Sequence, residues 1–263
     1  MPSITLQFLG VSCAKITTEQ GVKILIDPYI EGNPNCPVGI DEVLDSDIIL
    51  VTHGATDHFG NTLDILKRNQ ATVICDPAVG IYLREQGIPP DRVRGKCWGD
   101  TVHLHGLKVK VVYTAHISIM MTPNKMFAGI PVGFILETEA GIRLYNPGDT
   151  SLFGDMKLFG KLYQPHIGLI PVSYPPGDPE AIHLSPYEAA IATDWLNLSQ
   201  VIPVHYISGV RNPEVFQHYI AQTGLKCSVL LLTPGEERLL EFETSELIPS
   251  DEYLNIIDPN QQY

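Results

Sequence analysis

Nine histidines stand in the 263-residue sequence, and five of them occupy the same kind of place. His53 and His58 follow the apolar run Ile48–Val51, His116 follows Lys108–Tyr113, and His205 follows Val201–Val204. His183 stands just before a helix start, and Asp149 follows the β-prone run Gly141–Tyr145. A rigid sheet carries its variable, reactive groups in the loops beyond its strand ends. Imidazole nitrogens and carboxylate oxygens gathered at one rim each offer a lone pair, and the double charge of a zinc-type cation offsets the carboxylates. Metal-assisted chemistry is what these residue types can do together.

The elements that must position them are legible from composition and periodicity. Ile4–Leu9, Ala14–Thr18 and Lys23–Ile26 are short β-prone runs, the third closed by Asp27-Pro28. Ile48–Val51 is continuously apolar, as in a strand buried on both faces, and Phe59, Leu63 and Leu66 behind it recur at helical spacing. Strands are expected at Ala71–Cys75, Lys108–Tyr113, Gly133–Thr138, Gly141–Tyr145, Val201–Val204, Ser228–Leu232 and Arg238–Phe242. Helices are expected near Val79–Gln86, along the stripe Leu152, Met156, Phe159 and Tyr163, and over Pro213–Thr223. Ser185-Pro186-Tyr187-Glu188 has the capping-box pattern with proline at the first helical position, so a helix should run from Pro186 to about Trp195. No repeat or long linker divides the chain, which reads as one domain over 1–263 with an acidic extension from about 235. Seven acidic residues against one basic between Gly235 and Glu252 read as a solvated tail.

Composition removes other functions. Hydrophobic residues are 44% and charged residues 18%, the balance of a folded enzyme. Lys plus Arg is 17 and Asp plus Glu is 30, giving a formal charge of −13 that disfavours nucleic acid and anionic membranes as partners. Five scattered cysteines without a Cys-x-x-Cys pair argue against a disulfide scaffold and fit a reducing compartment. Neither a signal segment nor a spanning apolar run is present, so a cytoplasmic protein is expected. Glycine-rich phosphate loops and a Gly-x-Ser-x-Gly elbow are both missing. His103 and His105 read as a solvated β-face, His166 and His218 as surface residues, and Cys13, Cys75 and Cys227 as small buried hydrophobes.

Thr52-His53-Gly54-Ala55-Thr56-Asp57-His58 resembles the His-x-His-x-Asp-His signature of the metallo-β-lactamase superfamily, with one position changed. Leu9-Gly10-Val11-Ser12-Cys13, Lys23-Ile24-Leu25-Ile26-Asp27-Pro28, Gly148-Asp149-Thr150 and Ile202-Pro203-Val204-His205-Tyr206 add matches in order, from about Ile4 to Tyr206. The opening is similar to small metal-dependent hydrolases akin to ascorbate-6-phosphate lactonase. The resemblance implies an α/β fold of the αββα sandwich type and hydrolysis of a small, anionic ester, lactone or phosphoester. It implies one or two Zn2+ ions, with Mn2+ or Fe2+ as substitutes. His53 and His116 would bind the first metal, Asp57, His58 and His205 the second, and Asp149 would bridge them. Two cations sharing a water bring its pKa toward neutrality, and the hydroxide attacks. Asp57 would orient that nucleophile, and His183 would polarise the substrate.

Two departures stand out. Ala55 replaces the family's second metal-binding His, and Val11 replaces a His of the Leu-Gly-His-Ser turn. The first position then keeps two imidazoles and one carboxylate, a set that holds a metal with open positions. A mononuclear and a weakened dinuclear site both follow, with Ala55→His expected to raise occupancy of the first. A metal- or ligand-binding regulatory protein descended from such a hydrolase is the alternative function. A nuclease fits the acidity poorly. A small molecule is the expected partner, with self-association open. Specificity is expected in the loops Glu31–Gly39, Ile117–Pro131 and Ser173–Ile182.

Overall fold

The computed structural model describes residues 1–173, 183–243 and 247. The first half of the chain runs β1 (Ser3–Gly10), β2 (Cys13–Thr18), β3 (Lys23–Ile26), β4 (Ile48–Val51), α1 (Thr56–Phe59), α2 (Thr62–Arg68), β5 (Thr72–Cys75), α3 (Pro77–Glu85) and β6 (Val93–Gly95). The second half runs β7 (Thr101–Leu104), β8 (Leu107–Tyr113), β9 (Ser118–Met121), β10 (Met126–Gly129), β11 (Val132–Glu137), β12 (Arg143–Asn146), α4 (Met156–Tyr163), β13 (Ile167–Pro171), α5 (Pro186–Leu196), β14 (Gln200–Val204), α6 (Asn212–Thr223), β15 (Ser228–Val229) and β16 (Glu237–Glu241). Two seven-stranded sheets result, in the orders β16-β1-β2-β3-β4-β5-β6 and β15-β14-β13-β12-β11-β8-β7.

Strand alternation explains the layering. In β4, Ile48 and Leu50 point into a core shared with Val109, Phe134, Leu144, Leu169 and Ile202 of the other sheet. Ile49 and Val51 point the other way, onto Ile65, Leu66, Val79 and Leu83 of α2 and α3. The second sheet repeats this, Ile135, Tyr145, Ile170 and Val201 meeting Phe159, Ala189, Phe216 and Ile220 of α4, α5 and α6. The architecture is therefore αββα. Strands buried on both faces are continuously apolar, which is why β4 and β13 expose nothing. Strands β3, β4 and β5 run parallel, as do β12, β13 and β14, so the carboxyl ends within each set share a rim.

Several elements differ from expectation. The helix behind His58 is two short helices, because Gly60, at φ 43, packs so closely on the Pro28 carbonyl that a Cβ there would collide with it. Segment Ile117–Pro131, expected as a loop, contains the antiparallel ribbon β9–β10, with Met126 opposite Met121. Its Met120 is buried while Ile117, Ile119, Met121 and Met126 are exposed. The acidic stretch begins inside the fold: β16 pairs with β1, Leu240 opposite Ile4, and Leu240 enters the shared core. Residues 244–246 and 248–263 lie outside the described residues. Among the described residues, no helix is long and apolar enough to cross a membrane.

Candidate metal centre

His53, His58, His116, His183, His205, Asp149 and Asp57 converge. His53 continues from β4, while Asp57 and His58 occupy α1, which starts immediately beyond it. His116 follows β8 and Asp149 follows β12, and the two loops are stitched together. Thr114 Oγ1 donates to the Asp149 carbonyl (3.1 Å), and Ala115 N donates to Thr150 Oγ1 (3.1 Å). His183 precedes α5, whose capping box forms as its sequence dictates, Ser185 Oγ accepting from Glu188 N and Glu188 Oε2 accepting from Ser185 N. His205 follows β14 and donates its backbone N–H to the Val11 carbonyl at 2.6 Å. Both Val11 and His205 hold left-handed backbones, φ 52 and 60, which non-glycine residues rarely adopt.

Asp149 is the hub. Its Oδ1 lies 3.2 Å from His58 Nε2 and 3.1 Å from His205 Nε2. Its Oδ2 lies 3.9 Å from both His53 Nε2 and His116 Nε2, and 3.0 Å from His183 Nε2. Asp57 Oδ2 is 3.3 Å from His205 Nε2. Donor atoms of Asp57, His58, Asp149 and His205 fall within 4.8 Å of one another, and so do those of His53, His116 and Asp149. These are the two groupings the family resemblance implies. Asp57 is 40% exposed while Asp149 is 4% exposed, so solvent reaches the cluster past Asp57.

The outer partners show what the inner atoms are for. Asp27, fully buried, accepts from Thr52 N (2.8 Å) and Thr52 Oγ1 (2.9 Å), and its Oδ2 lies 2.8 Å from His58 Nδ1. With Thr52 Oγ1 donating to Asp27, its lone pairs face His53 Nδ1 at 3.1 Å and His58 Nδ1 at 3.3 Å, and it can receive the His53 Nδ1 proton while Asp27 receives that of His58. Ser173 Oγ meets His205 Nδ1 at 2.6 Å. Nδ1 of His53, His58 and His205 is thus engaged outward, which aims Nε2 of these three at the cluster as a metal ligand requires. Nε2 of His53, His58 and His205 and Oδ1 of Asp149 are buried and make no well-aligned hydrogen bond, only the close polar contacts with one another given above. Such atoms carry a large desolvation cost unless something coordinates them. A divalent cation fits this donor set.

Charge is arranged to match. Burial opposes a charge on His58, yet Asp149 and Asp27 overcome it and hold the imidazole well above its usual range. His205, buried as well, is pushed up to about 9 by Asp149 and Asp57. Burial lowers His116 to about 4 and, with the charge on His58 beside it, holds His53 well below its ordinary value. Burial resists ionisation of Asp57, but the His205 hydrogen bond and His58 bring it to about 2. The ion-free cluster therefore carries positive charge on His58 and His205, facing Asp149 and Asp57, where a cation would sit.

Gly148 gives a direct test of how tightly the rim is built. At φ 62 its missing Cβ would come within 2.6 Å of Thr52 Oγ1, the hydroxyl that links Asp27 to His53. Gly148→Ala is expected to cost about 1–2 kcal/mol from backbone alone and to weaken metal retention by displacing Thr52. Thermal melting and metal analysis check it; wild-type values for both would show that Thr52 yields freely.

Of the remaining histidines, His103, His105 and His218 are exposed, as expected. His166 is not a surface residue: it is buried, its Nδ1 accepts from Arg143 N at 3.0 Å, and it packs on Phe242 away from the cluster. Sequence reasoning missed Asp27, Thr52 and Ser173 as supports; the only local signal was their place at or just beyond strand ends. Of the loop Ser173–Ile182, only Ser173 is described.

Comparison with known proteins follows the same outline. The sequence profile of the beta-lactamase superfamily domain matches residues 22–206. A UPF0173 metal-dependent hydrolase of Rubrobacter xylanophilus is 35% identical over 237 residues, 88% of this chain and 94% of that protein. A metal-dependent hydrolase of Methanobrevibacter smithii is 33% identical, covering 88% and 95%. Among solved structures, the metallo hydrolase Igni18 from Ignicoccus hospitalis superposes with a TM-score of 0.78 at 27% identity, over 92% of this chain and all of that one.

Proposed function

The chain belongs to the β-lactamase superfamily and is one of its metal-dependent hydrolases, and from that premise we propose that it cleaves a small, anionic ester, lactone or phosphoester at the Asp149 cluster. The observation that supports this most is the set of buried Nε2 and Oδ1 atoms that converge around one carboxylate without a well-aligned hydrogen bond. His53, His116 and Asp149 would hold one cation, and Asp57, His58, Asp149 and His205 a second, with zinc, manganese or iron(II) suited to such nitrogen and oxygen donors. Bound there, the cations would polarise the scissile group and lower the pKa of an attacking water.

The protein's own residues do the rest. Asp57, half-exposed at the mouth, orients the incoming water. Two divalent cations with neutral imidazoles and the three carboxylates Asp27, Asp57 and Asp149 would sum to a net charge of +1, which favours an anionic substrate and a developing oxyanion. The burial of the other ligands leaves approach past Asp57 and restricts the reaction to a small group at the rim.

The test is metal analysis of purified protein with a panel of lactones, carboxylic esters and phosphodiesters, before and after chelation. Turnover that vanishes on chelation and returns with zinc or manganese is expected. Protein that retains no metal, or hydrolyses with unchanged rate after stripping, would refute the proposal.

A further inference from the structure

We propose that His183 is a ligand of the first metal position, supplying from the start of α5 the imidazole that Ala55 lacks. The proposal rests on the metal reading above and assigns a specific residue to the first position.

Five imidazoles form a closed ring around Asp149. Centroid separations are 4.1 Å for His53–His58, 5.4 Å for His58–His205, 5.0 Å for His205–His183, 4.9 Å for His183–His116 and 5.0 Å for His116–His53. His183 closes that ring. Its separation from His116 equals, within 0.1 Å, that of His53 from His116, the two imidazoles already grouped at the first position. Its Nε2 faces Oδ2, the Asp149 oxygen that also faces His53 and His116, and not Oδ1, which serves His58 and His205.

The spacing suits coordination. Two donors each about 2.1 Å from one zinc lie about 3.4 Å apart at the tetrahedral angle and about 3 Å apart at the right angles of an expanded coordination sphere. His183 Nε2 stands 3.0 Å from Oδ2, matching the 3.2 Å and 3.1 Å by which His58 and His205 approach Oδ1 at the second position. A group reserved for polarising substrate would be placed toward the open side, where Asp57 is 40% exposed; His183 is 9% exposed. It is also held firmly. Leu184 is fully buried in the outer core and the Ser185–Glu188 capping box fixes the next turn.

Ala55 contributes nothing to the cluster besides backbone, and its carbonyl already accepts from His58 N (3.1 Å) and Phe59 N (2.8 Å) to start α1. Donor atoms of His53, His116 and Asp149 already lie within 4.8 Å of one another, with His183 just outside that group; drawn in by a cation, it would make the first position a three-imidazole, one-carboxylate set and offset the loss at Ala55.

Stoichiometry tests this without reference to turnover. Apo wild-type protein titrated with Co2+ or Zn2+, then dialysed, should retain two equivalents. His183→Ala and His183→Gln should each retain one, the second equivalent binding more than 100-fold more weakly than in wild type. The retained equivalent at Asp57, His58, Asp149 and His205 reports that each variant is folded. Adding Ala55→His to His183→Ala should restore two equivalents. A wild type that binds no metal would defeat the metal reading itself. Two tight equivalents in both His183 variants would overturn this inference alone, and with a selective loss of turnover would make His183 a substrate-facing group instead. A single equivalent in wild type and variants alike would also overturn it.

Discussion

Asp149→Ala is expected to empty both metal positions and to lower hydrolysis by at least about 10³-fold, beyond the roughly 10²–10³-fold typical of losing one oxyanion donor. One carboxylate faces all five imidazoles, Oδ1 toward His58 and His205 and Oδ2 toward His53, His116 and His183. Among the described residues no other carboxylate joins both donor groups, since Asp57 belongs only to the second. Removing it leaves buried imidazoles whose charge nothing balances; burial then drives His58 and His205 neutral and the rings are free to separate. Asp149→Asn keeps the shape with one oxygen, and should fold while holding at most one weakly bound ion. Metal content by mass spectrometry, turnover and a thermal melt of both variants decide the matter. Full metal and full activity in either would show that the hub lies elsewhere.

Asp27→Asn tests the layer behind the ligands. Asp27 accepts from Thr52 N and Thr52 Oγ1 and its Oδ2 meets His58 Nδ1 at 2.8 Å. An amide oxygen can keep the Thr52 N bond, but the amide nitrogen cannot accept from His58. The imidazole then gains by moving its proton to Nε2, which turns a lone pair aimed at the metal into a donor aimed at Asp149 Oδ1. Losses of a supporting partner of this kind commonly cost 10–100-fold in metal affinity or activity, and the upper part of that range is expected because Asp27 is fully buried. A competition titration against a chromophoric chelator measures it. Unchanged affinity would mean that His58 keeps its tautomer without Asp27.

The candidate ligands were legible and their supports were not, for a physical reason. His53, Asp57 and His58 lie within six residues, so strand end and helix start place them together whatever the rest of the chain does. Asp149 and His205 stand directly beyond apolar strands whose burial periodicity dictates. Asp27 meets His58 across 31 residues, through the parallel pairing of β3 with β4, and no local pattern encodes which strands become neighbours. The ribbon β9–β10 escaped notice because its two four-residue strands carry little β preference and bury only alternate side chains, Ser118 and Met120 in β9. Periodicity correctly showed that Phe59, Leu63 and Leu66 share a face, but the break at Gly60 depends on Pro28, a contact visible only in three dimensions. His183 was legible as a residue before a cap, while its place in the ring came from how α5 packs.

The left-handed backbones of Val11 and His205, tied by one 2.6 Å hydrogen bond, bear on how far this protein can be hardened. Each conformation disfavours a side-chain-bearing residue by roughly 1–2 kcal/mol, and a β-branched valine suits it least. Glycine at position 11 would relax the turn, yet it would also loosen the carbonyl that aims His205 at Asp149. Thermostabilising selection would therefore find its easiest gain beside the reaction centre, and would exchange preorganisation for heat resistance there. Gains without that exchange lie in surface turns remote from the rim whose backbone is not left-handed; Gly21, open to solvent but at φ 86, already carries the residue its conformation favours.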